Sequence, residues 1–588
     1  MEAPGESRDA AASLRAAGAG PGSPVAVAWA PDGVGLAHEG TAVWQRGDGV
    51  AVVRRLLHEL RPRLTWWSAA DALPLLSGGV RVPSSWDVAA THRLVAGGSA
   101  GHPGTVWAAA RGLAAGHLPR TGQLDLLGGL ADGQGGHGHD DPVDAHDPVR
   151  PDGYLRPDWA ETGPPDAVAA AAWARAALEV AAAHRAVLAA LPDPRRDPPA
   201  PALAELTAWS ESAAEVLAVE LGETGLPVDR ATALALVEER AGPRPADAAE
   251  AAATRAARDA EVRDLVRGAA DVDLRNPAQV RDLLHRAGID VPDTRSWRLE
   301  PFRTAHPVVD ALLRWRKAER VATTYGYAWL DRHVGADGRL RGTWTGCDGA
   351  AGRMTASAGL HNLPAELRPA VAAEPGHVLV RADLGQVEPR VLAAVSGDQD
   401  LAAATAGPDL YAPVAGRLGC DRATAKIAVL AAMYGQTSGT AGEALAGLER
   451  AYPVAMDHLR AADASGRAGR HVRTYGGRLV RMWHLENPEP AAVSARGRFA
   501  RNAVVQGAAA ELFKMWAVTV RAALPPGAQV VLCLHDELLV HAPAAAADEV
   551  VALLHECLRR TAARWAAGSG VRLVADVSVV TRWSDAKG

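Results

Sequence analysis

Two distant segments of the chain each place carboxylates at the end of an apolar strand, where they could bind cations. In the segment 376–398, the apolar run VLVRAD predicts a buried strand that delivers Asp383 to its carboxyl end. In the segment 529–543, two β-rich runs flank Asp536 and Glu537, which predicts a hairpin with acids at its tip. An adjacent pair of acids between apolar strands is costly to place unless cations neutralise it. Asp383 taken alone is also typical of a cap or a turn.

A third segment, GCDRATAKIAVLAAMYGQTSG (419–439), predicts a helix with Asp421 as its N-cap and Gly435 as its stop. Four residues spaced four apart share one side of this helix, because four residues advance a helix by about 400°. They are Arg422, Lys426, Leu430 and Tyr434. Two cations one turn apart, then an apolar residue and a tyrosine, could bind a polyphosphate at one end and an unsaturated ring at the other. A solvated basic edge beside an apolar stripe explains the same pattern.

The composition is that of an ordinary globular protein with several domains. A chain of 588 residues is too long for one core, and 48% hydrophobic with 22% charged residues excludes a fibrous or fully disordered chain. The net charge of −6 requires no polyanionic partner, so any basic surface must be local. Four distant cysteines indicate neither a disulfide framework nor a zinc site. Without a signal-peptide pattern or an apolar run of about 18 residues, we expect a soluble, cytoplasmic protein.

The elements that must position these side chains follow changes of pattern along the chain. Residues 24–60 mix strands and helices, and we interpret VAVAWAPDGVGLA as one strand. An alanine-rich helix is predicted over 166–191, and the proline-rich segment 191–203 that follows is the best domain boundary. The pattern is helical from 204 to 332, and strands return after 340.

Two local stretches are strongly basic. Residues 467–481 hold five Arg, one His and no acid, and a second group clusters on one predicted helix: Arg314, Arg316, Lys317 and Arg320. Contact with phosphates is the natural interpretation, and a solvated face is the alternative.

The segment 131–150, rich in Gly, Asp, His and Pro, predicts an exposed loop. Its histidines and acids could instead capture a transition metal, although no helix or strand would fix their geometry. These residues are His137, His139, Asp140, Asp141 and His146.

In their order and spacing, the three chemical segments resemble motifs A, B and C of the family A DNA polymerases, the relatives of bacterial DNA polymerase I. DLGQVEPR is similar to the family's DYSQIELR, R-x-x-x-K-x-x-x-L-x-x-x-Y-G to its fingers-helix signature, and LHDE to its VHDE. Shorter matches fall where the family would place them: WRKAERVATTYG, GRMTASAGLHNLP, TYGGRLV and RFARNAVVQGAAAELFK. The resemblance covers roughly 200–588.

The resemblance implies an α/β multidomain (α+β) fold in which residues 198–588 form a right-hand polymerase. Its thumb would span about 200–345, its palm about 346–410 and 485–588, and its fingers about 411–484. Residues 1–197 are similar, more faintly, to the 3′–5′ exonuclease domain of bifunctional exonuclease/DNA polymerases, which has an RNase H-like fold.

This first domain is expected to be truncated and degenerate. The exonuclease fold needs a D-x-E on its first strand, an Asp on a later helix and a Y-x-x-x-D. We interpret VAVAWAPDGVGLA as the second strand, so the strand that bears D-x-E is expected to be absent, and only Asp87 resembles a surviving acid. One acid of four cannot form a two-metal site, which predicts no proofreading.

The resemblance implies a metal site for template-directed addition of dNTPs to a primer 3′-OH in DNA replication and repair. Two Mg²⁺ ions, with Mn²⁺ as a substitute, would be bound by Asp383, Asp536 and the backbone carbonyl of Leu384, with Glu537 in a supporting catalytic role. Lys426 would hold the triphosphate and protonate the pyrophosphate leaving group.

The resemblance also implies the substrate contacts. Tyr434 would pack at the nascent base pair, and Glu388 would crowd the 2′ position and so exclude ribonucleotides. The dNTP-binding set is Arg422, Lys426, Leu430, Tyr434, Glu388 and Gln386. The primer-template contacts are Arg353, Arg498, Asn502, Gln506 and His535. From the two basic stretches, we also expect Arg316, Arg320 and Arg478 to contact phosphates of the DNA. The expected partners are therefore primer-template DNA and dNTPs. We expect the protein to be a monomer that binds no membrane and that associates with the nucleoid of a bacterium.

Departures from the family pattern keep other functions open. Leu430 replaces an aromatic residue that would touch the incoming sugar and base, and the region 435–474 looks short for the fingers. If these changes abolish nucleotide binding, the chain would be a catalytically decayed polymerase that acts as a DNA-binding or scaffolding protein. A metal-dependent nuclease is less favoured, because the row of Arg422, Lys426 and Tyr434 would have no task.

Overall fold

The computed structural model describes residues 5–119, 146–196, 198–435 and 441–586. The histidine-rich segment predicted as a loop or metal site lies outside these residues except for its end, 146–150. The chain divides into two compact units. The first is Met1–Glu223 with Thr343–Thr355 and Val380–Ser578, and the second is Thr224–Gly342 with Ala356–Leu379 and Val579–Gly588. Both sides of the predicted domain boundary at 197 and 198 lie in the first unit, so that boundary stays a prediction.

The first unit begins with a six-stranded sheet. Its strands are β1 (Gly5–Glu6), β2 (Pro24–Ala30), β3 (Gly33–His38), β4 (Thr41–Arg46), β5 (Arg63–Trp66) and β6 (Ser85–Asp87), in the order β1-β4-β3-β2-β5-β6. The pairs β2–β3 and β3–β4 are antiparallel and the other pairs are parallel. Its helices are α1 (Ala10–Ala16), α2 (Gly49–Glu59), α3 (Leu73–Ser77), α4 (Val88–Ala96), α5 (Pro103–Arg111), α6 (Pro157–Thr162) and α7 (Ala167–Ala189).

The expectation that VAVAWAPDGVGLA forms one strand is wrong. Pro31 and Asp32 form a turn, so the segment makes the antiparallel hairpin β2–β3. Strand β2 lies inside the sheet between β3 and β5 and contains no acid. The sheet therefore has one more strand in this segment than expected, but that strand brings no metal ligand.

The alanine-rich helix predicted over 166–191 is confirmed as α7, which packs closely on this sheet. A Cβ placed on Gly35 of β3 would lie 2.1 Å from backbone atoms of Ala170 and Ala171. Only glycine on the strand and small residues on the helix allow this approach. A core of alanine, valine and tryptophan side chains lies between the helix and the sheet.

The chain continues through α8 (Leu203–Thr224) into the second unit, which is mainly helical. Its elements are β7 (Leu226–Pro227), α9 (Arg230–Ala241), α10 (Ala248–Arg263), α11 (Pro277–Arg286), α12 (Ser296–Leu299), α13 (Pro307–Thr324), α14 (Tyr327–His333) and β8 (Arg339–Leu340). Strands β7 and β8 pair antiparallel.

Short 3₁₀ turns occur in both units, at Ala69–Ala72, Ala115–His117, Glu300–Phe302, Leu360–Asn362, Ala365–Ala370, Ala544–Ala546 and Trp583–Asp585.

The rest of the first unit surrounds a four-stranded sheet of order β14-β15-β11-β16. The strands of this region are β9 (Trp344–Asp348), β10 (Arg353–Ala356), β11 (His377–Leu384), β12 (Val472–Arg473), β13 (Leu479–Val480), β14 (Gln529–Leu534), β15 (Glu537–Pro543) and β16 (Ala575–Val580). The helices are α15 (Val387–Ser396), α16 (Gln399–Ala404), α17 (Tyr411–Leu418), α18 (Arg422–Tyr434), α19 (Ala441–Ala451), α20 (Pro453–Arg467), α21 (Pro490–Ala523) and α22 (Ala547–Trp565).

Within the first unit, the N-terminal sheet is tied to the region around α8 and α21 by polar contacts. Arg93 of α4 pairs with Glu215 at 2.6 Å, and Arg481 donates to the backbone oxygen of Ala96 at 2.6 Å. Asp87 is 1% exposed and accepts from the backbone N–H of Ala90, so it caps α4 instead of facing solvent.

In the part of the chain that the structure describes, no helix is both long enough and apolar enough to cross a membrane.

Candidate active site

The sheet brings the two predicted metal ligands together. Strand β11 pairs with β15, and Asp383 lies near the end of β11, while Asp536 lies in the two-residue turn between β14 and β15. The backbone N–H of Leu384 donates to the backbone oxygen of Asp536 at 2.9 Å, which joins the strand end to the turn. His535, the other turn residue, has φ +55°, a left-handed conformation that lets the chain reverse over two residues.

The two carboxyl groups share an excess of negative charge. Burial, and then the charge of Asp536, raise the pKa of Asp383 to about 6. Burial raises the pKa of Asp536, and the neighbouring charge of Glu537 adds to the increase. Carboxylate oxygens are the ligands that Mg²⁺ takes in proteins, and a cation would relieve this repulsion. The residues present therefore fit a divalent cation.

Arg381, which the sequence reasoning missed, contacts two of the predicted site residues. Its Nη2 donates to Asp383 at 2.9 Å and its Nε donates to Glu537 at 2.8 Å. Its side chain is only 7% exposed, so it places a fixed positive charge against the acids. Glu537 is 7% exposed and contacts Arg381 directly. The signal in the sequence was an arginine inside an otherwise apolar strand pattern.

Glu388 lies in the first turn of α15, where two hydrogen bonds fix its carboxylate. Tyr434, the last residue of α18, donates its hydroxyl to Glu388 Oε2 at 2.8 Å. Arg353 of β10 donates to Glu388 Oε1 at 3.2 Å. The carboxylate is thus held from two sides, and only 16% of the Glu388 side chain is exposed.

Glu388, Tyr434 and Arg353 border a cavity of about 270 Å³ in the first unit, whereas Asp383 does not line it. The predicted site residues that line it are Arg353, Gln386, Glu388, Leu430, Tyr434, Gln506, His535 and Asp536. Leu430 is partly buried against the neighbouring core, so the wall has an aliphatic side chain at this point.

Helix α18 has the predicted bounds. The Asp421 side chain accepts from the backbone N–H of Thr424 at 2.9 Å, and Gly435 ends the helix with φ +68°. Arg422 makes two hydrogen bonds to Asp409, at 2.7 and 3.1 Å. Lys426 is exposed, and no ion pair to it occurs among the described residues.

The side chain of Gln386 makes hydrogen bonds to the loop that precedes α17. Its backbone is left-handed at φ +54°, and its side-chain oxygen accepts from the N–H of Leu410 at 2.7 Å. Its side-chain nitrogen donates to Asp409 at 2.8 Å. Gln386 therefore lines the cavity while it anchors the loop that also holds Arg422.

The predicted primer-template residues divide into two groups. Gln506 and His535 line the cavity, and Gln506 lies close to the Tyr434 hydroxyl. Burial, and then the charge of Arg353, lower the pKa of His535. Arg498 and Asn502 lie about one turn apart on α21, where Arg498 donates to Ser494 at 2.9 Å. The side-chain oxygen of Asn502 is buried and has no hydrogen-bond partner among the described residues.

The prediction that Arg478 contacts DNA is wrong. Its side chain is 3% exposed and pairs with Glu211 of α8. It also donates to the sulfur of Cys347 at 3.1 Å. Lys514 of α21 is 1% exposed and pairs with the same carboxylate. A surface phosphate cannot reach this buried ion cluster, so Arg478 has a structural role.

In the second unit, Arg316 and Arg320 both lie on α13. Arg316 is half-buried and donates to the backbone oxygen of Thr294, and burial lowers its pKa. Arg320 is exposed and donates to the backbone oxygen of Asn362 at 2.6 Å. Arg320 is therefore the better placed of the two for a solvent-side partner.

The comparisons with known proteins establish the fold and then the family. The chain matches a solved structure described as the POL domain of Pol1 from M. smegmatis in complex with DNA primer-template and dNTP. The TM-score is 0.64 over 99% of both chains at 21% sequence identity, which shows the polymerase-domain fold. The family model for DNA polymerase family A matches residues 248–585. The chain belongs to this family, and the predicted family and mixed α+β fold class are confirmed.

Curated relatives agree with this assignment. The thermostable DNA polymerase I of Thermus thermophilus is 31% identical over 319 residues, which cover 49% of this chain and 38% of the relative. DNA polymerase I of Chloroflexus aurantiacus is 31% identical over 292 residues, covering 44% of this chain and 31% of the relative. The chain thus spans only 38% and 31% of the lengths of these two relatives.

Proposed function

We propose that this chain is a template-directed DNA polymerase that adds dNTPs to a primer 3′-OH by nucleotidyl transfer. The observation that carries the proposal is the meeting of Asp383 and Asp536 beside a cavity bordered by Glu388 and Tyr434. Membership of DNA polymerase family A and relatives named DNA polymerase I support it. DNA replication and repair are the settings in which such a reaction is used.

Asp383, Asp536 and the backbone carbonyl of Leu384 would hold two Mg²⁺ ions, which Mn²⁺ could replace. When bound, such ions act as Lewis acids that stabilise the attacking and leaving oxygens of an in-line displacement. Arg381 would keep Glu537 oriented behind these ligands, because it bonds both Glu537 and Asp383. Glu537 would therefore support the site through Arg381.

The residues of α18 would bind the incoming nucleotide. Lys426, exposed and without an ion pair among the described residues, is free to meet the triphosphate and to donate a proton to the leaving pyrophosphate. Arg422 would join it after exchanging Asp409 for a phosphate, which accepts the same bidentate geometry. The ring of Tyr434 would face the nascent base pair, with Leu430 replacing an aromatic contact on the sugar.

Glu388 would set the choice of sugar. Its carboxylate is held by Tyr434 and Arg353 at the cavity wall, so a 2′-hydroxyl would meet a group that cannot move aside freely. Gln386 would hold the adjoining loop in place.

Template and primer would be bound without sequence preference. Arg353, Gln506 and His535 surround the cavity, and donors of this kind can reach minor-groove acceptors that every base pair carries. Arg498 and Asn502 would extend this contact along α21, and Arg316 and Arg320 would meet phosphates.

We propose the same domain division as the sequence analysis, with a thumb, palm and fingers after an exonuclease-like domain that lacks proofreading. That first domain would act as a support, since Asp87 and Arg93 are used in contacts to α8. We also propose that the protein acts as a monomer.

The test is extension of a labelled primer on templates that differ in one base, with each dNTP supplied alone. The proposal expects Mg²⁺-dependent addition of the complementary nucleotide only, and loss of addition when the metal is chelated. Tight binding of primer-template without any extension, in Mg²⁺ or Mn²⁺, would contradict the proposal and favour a DNA-binding or scaffolding protein.

A further inference from the structure

A second cavity of the first unit, of about 380 Å³, is lined by positive charge. It lies where the starts of β5 and β6 meet α8, the end of α21 and α22. Four arginines line it, Arg63, Arg521, Arg560 and Arg564, and its lining contains no Asp or Glu. None of these residues borders the cavity beside Asp536, so the two cavities are distinct.

Three of the four guanidinium groups form no ion pair with a carboxylate of the described residues. Arg521 is paired with Glu220. Among the described residues, no carboxylate lies within 4.0 Å of the side-chain nitrogens of Arg63, Arg560 or Arg564. Arg560 and Arg564 are exposed and lie one turn apart on α22, so they share one side of that helix. The cavity therefore has a net positive wall.

Arg63 is held rigidly at this wall. Its guanidinium lies 3.7 Å from the ring centroid of Trp209, and its Nε donates to Ser84 at 3.2 Å. Burial, and then the charge of Arg185, lower the pKa of Arg63 to about 10. The charge of Glu205 acts in the opposite direction and offsets this only in part, so an anionic ligand would supply further counter-charge.

We propose that this cavity binds a small organic phosphate. The phosphate would lie against Arg63, Arg560 and Arg564, since arginine matches phosphate geometry. The remainder of the molecule would lie along the apolar wall formed by Leu206, Met515 and Val518. A volume of about 380 Å³ is in the range of small-molecule sites, which starts near 300 Å³. The inference does not depend on polymerase activity.

Isothermal titration calorimetry of the full chain, without divalent metal, tests the proposal with two probes, dAMP and inorganic pyrophosphate. Both probes carry phosphate, but only dAMP has a ring and sugar for the apolar wall. The titration is repeated on Arg422→Ala/Lys426→Ala protein, so that binding at α18 does not contribute. Binding of dAMP at one site in this double variant is the expected result, tighter than that of pyrophosphate.

Arg560→Ala and Arg564→Ala are the test substitutions, and Arg559→Ala on the same helix is the matched control. Arg559 is exposed, pairs with Glu556 and does not line the cavity. Loss of one charged hydrogen-bond donor should weaken dAMP binding about tenfold in either test variant. The control should bind within about twofold of the parent protein, because exposed ion pairs contribute little. Equal melting temperatures would show that the variants are folded.

Three results would overturn the proposal. The first is no dAMP binding by the Arg422→Ala/Lys426→Ala protein up to millimolar concentration. The second is unchanged affinity in both test variants. The third is equal weakening by Arg559→Ala, which would mean that the anion responds to the general charge of α22 and not to the cavity.

Discussion

At the scale of single residues, the unexpected feature of the candidate active site is Arg381. It contacts both Asp383 and Glu537 from within strand β11, and its side chain is nearly inaccessible to solvent. A guanidinium in this position neutralises part of the charge that a divalent cation would otherwise neutralise. Arg381 therefore lowers the electrostatic attraction of the site for metal while it keeps the acids in position.

Replacing Arg381 by Ala should make the site bind Mg²⁺ or Mn²⁺ more tightly, by about tenfold, because one competing positive charge is removed. Arg381→Lys keeps the charge and should change the affinity much less. Calorimetric titration of metal into the protein without DNA or nucleotide measures this directly. Unchanged or weaker metal binding in a folded Arg381→Ala protein would contradict this account of the residue.

Glu388 gives a second prediction at this scale. Glu388→Ala opens the cavity wall where a 2′-hydroxyl would lie, so incorporation of ribonucleotides relative to deoxynucleotides should rise by about tenfold or more. Tyr434→Phe removes one hydrogen bond to the Glu388 carboxylate and leaves Glu388 in place, so it should change the ratio less. The ratio is measured by competing rNTP with dNTP in single-nucleotide primer extension. Equal ratios in Glu388→Ala and wild type would show that Glu388 does not set the choice of sugar.

At the scale of elements, a buried ion cluster joins α8, α21 and the segment before β13. Glu211, Arg478 and Lys514 are each at most 3% exposed in their side chains, and Glu211 pairs with both cations. The attached positive charges hold the pKa of Glu211 below its usual range in spite of burial. Removal of one charge from this cluster would leave another charge buried without full compensation.

Glu211→Gln should therefore destabilise the protein by about 3–5 kcal/mol, since it leaves two buried cations with less compensation. Glu179→Gln is the control, because Glu179 forms an exposed pair with Arg111 and should contribute less than about 1 kcal/mol. Urea denaturation followed by circular dichroism compares the two. Similar losses in both variants would contradict a special role for the buried cluster.

Glu511 of the same region predicts a pH dependence. Burial raises its pKa to about 7, above the ordinary value of 4.5, although Arg478 and the N–H of Gly476 act in the opposite direction. The folded state thus holds this proton more tightly than the unfolded state. Its contribution to stability is complete below about pH 4.5 and is lost as the pH rises through about 7.

The effect is measured as the free energy of unfolding of wild type and of Glu511→Gln, from about pH 5 to about pH 8. As the pH rises, the free energy of unfolding of wild type should fall relative to that of the variant, because glutamine does not ionise. A constant difference across this range would contradict the raised pKa of Glu511.

The sequence predicted those elements whose start, stop or turn is encoded locally. Helix α18 lies between Asp421 and Gly435 as expected, and the hairpin β14–β15 carries its acids at the turn. The turn at Pro31 and Asp32 was also encoded but was overlooked. The roles of Arg381 and Arg478 could not be predicted, because each depends on a partner far away in the chain, Glu537 and Glu211 respectively.

The same limit applies to the candidate site. Asp383, Asp536 and Glu388 were identified from their motifs, but their mutual contacts depend on the pairing of β11 with β15 and on the packing of α18. The ion pair of Arg422 with Asp409 could not be inferred from helical spacing, which places residues on a face without naming their partners.

At the scale of the whole molecule, the N-terminal sheet is predicted to support the rest of the first unit without cutting DNA. Strand β2 has no acid, and Asp87 is buried as the cap of α4. Incubation with 5′-labelled single-stranded DNA and Mg²⁺ should therefore leave the DNA intact. A ladder of shortened products that disappears in Asp87→Asn would contradict this expectation.

The central claim is that Asp383 and Asp536 form the catalytic centre of a polymerase, and Asp536→Ala tests it most directly. Wild-type protein should extend a labelled primer according to its template in the presence of Mg²⁺ and dNTPs. Asp536→Ala should lose at least about 1000-fold in rate, because the loss of a metal ligand removes several kcal/mol of transition-state stabilisation. Its affinity for primer-template, measured by fluorescence anisotropy, should stay within about threefold of wild type. Equal extension by both proteins, or no extension by wild type that binds primer-template, would contradict the claim.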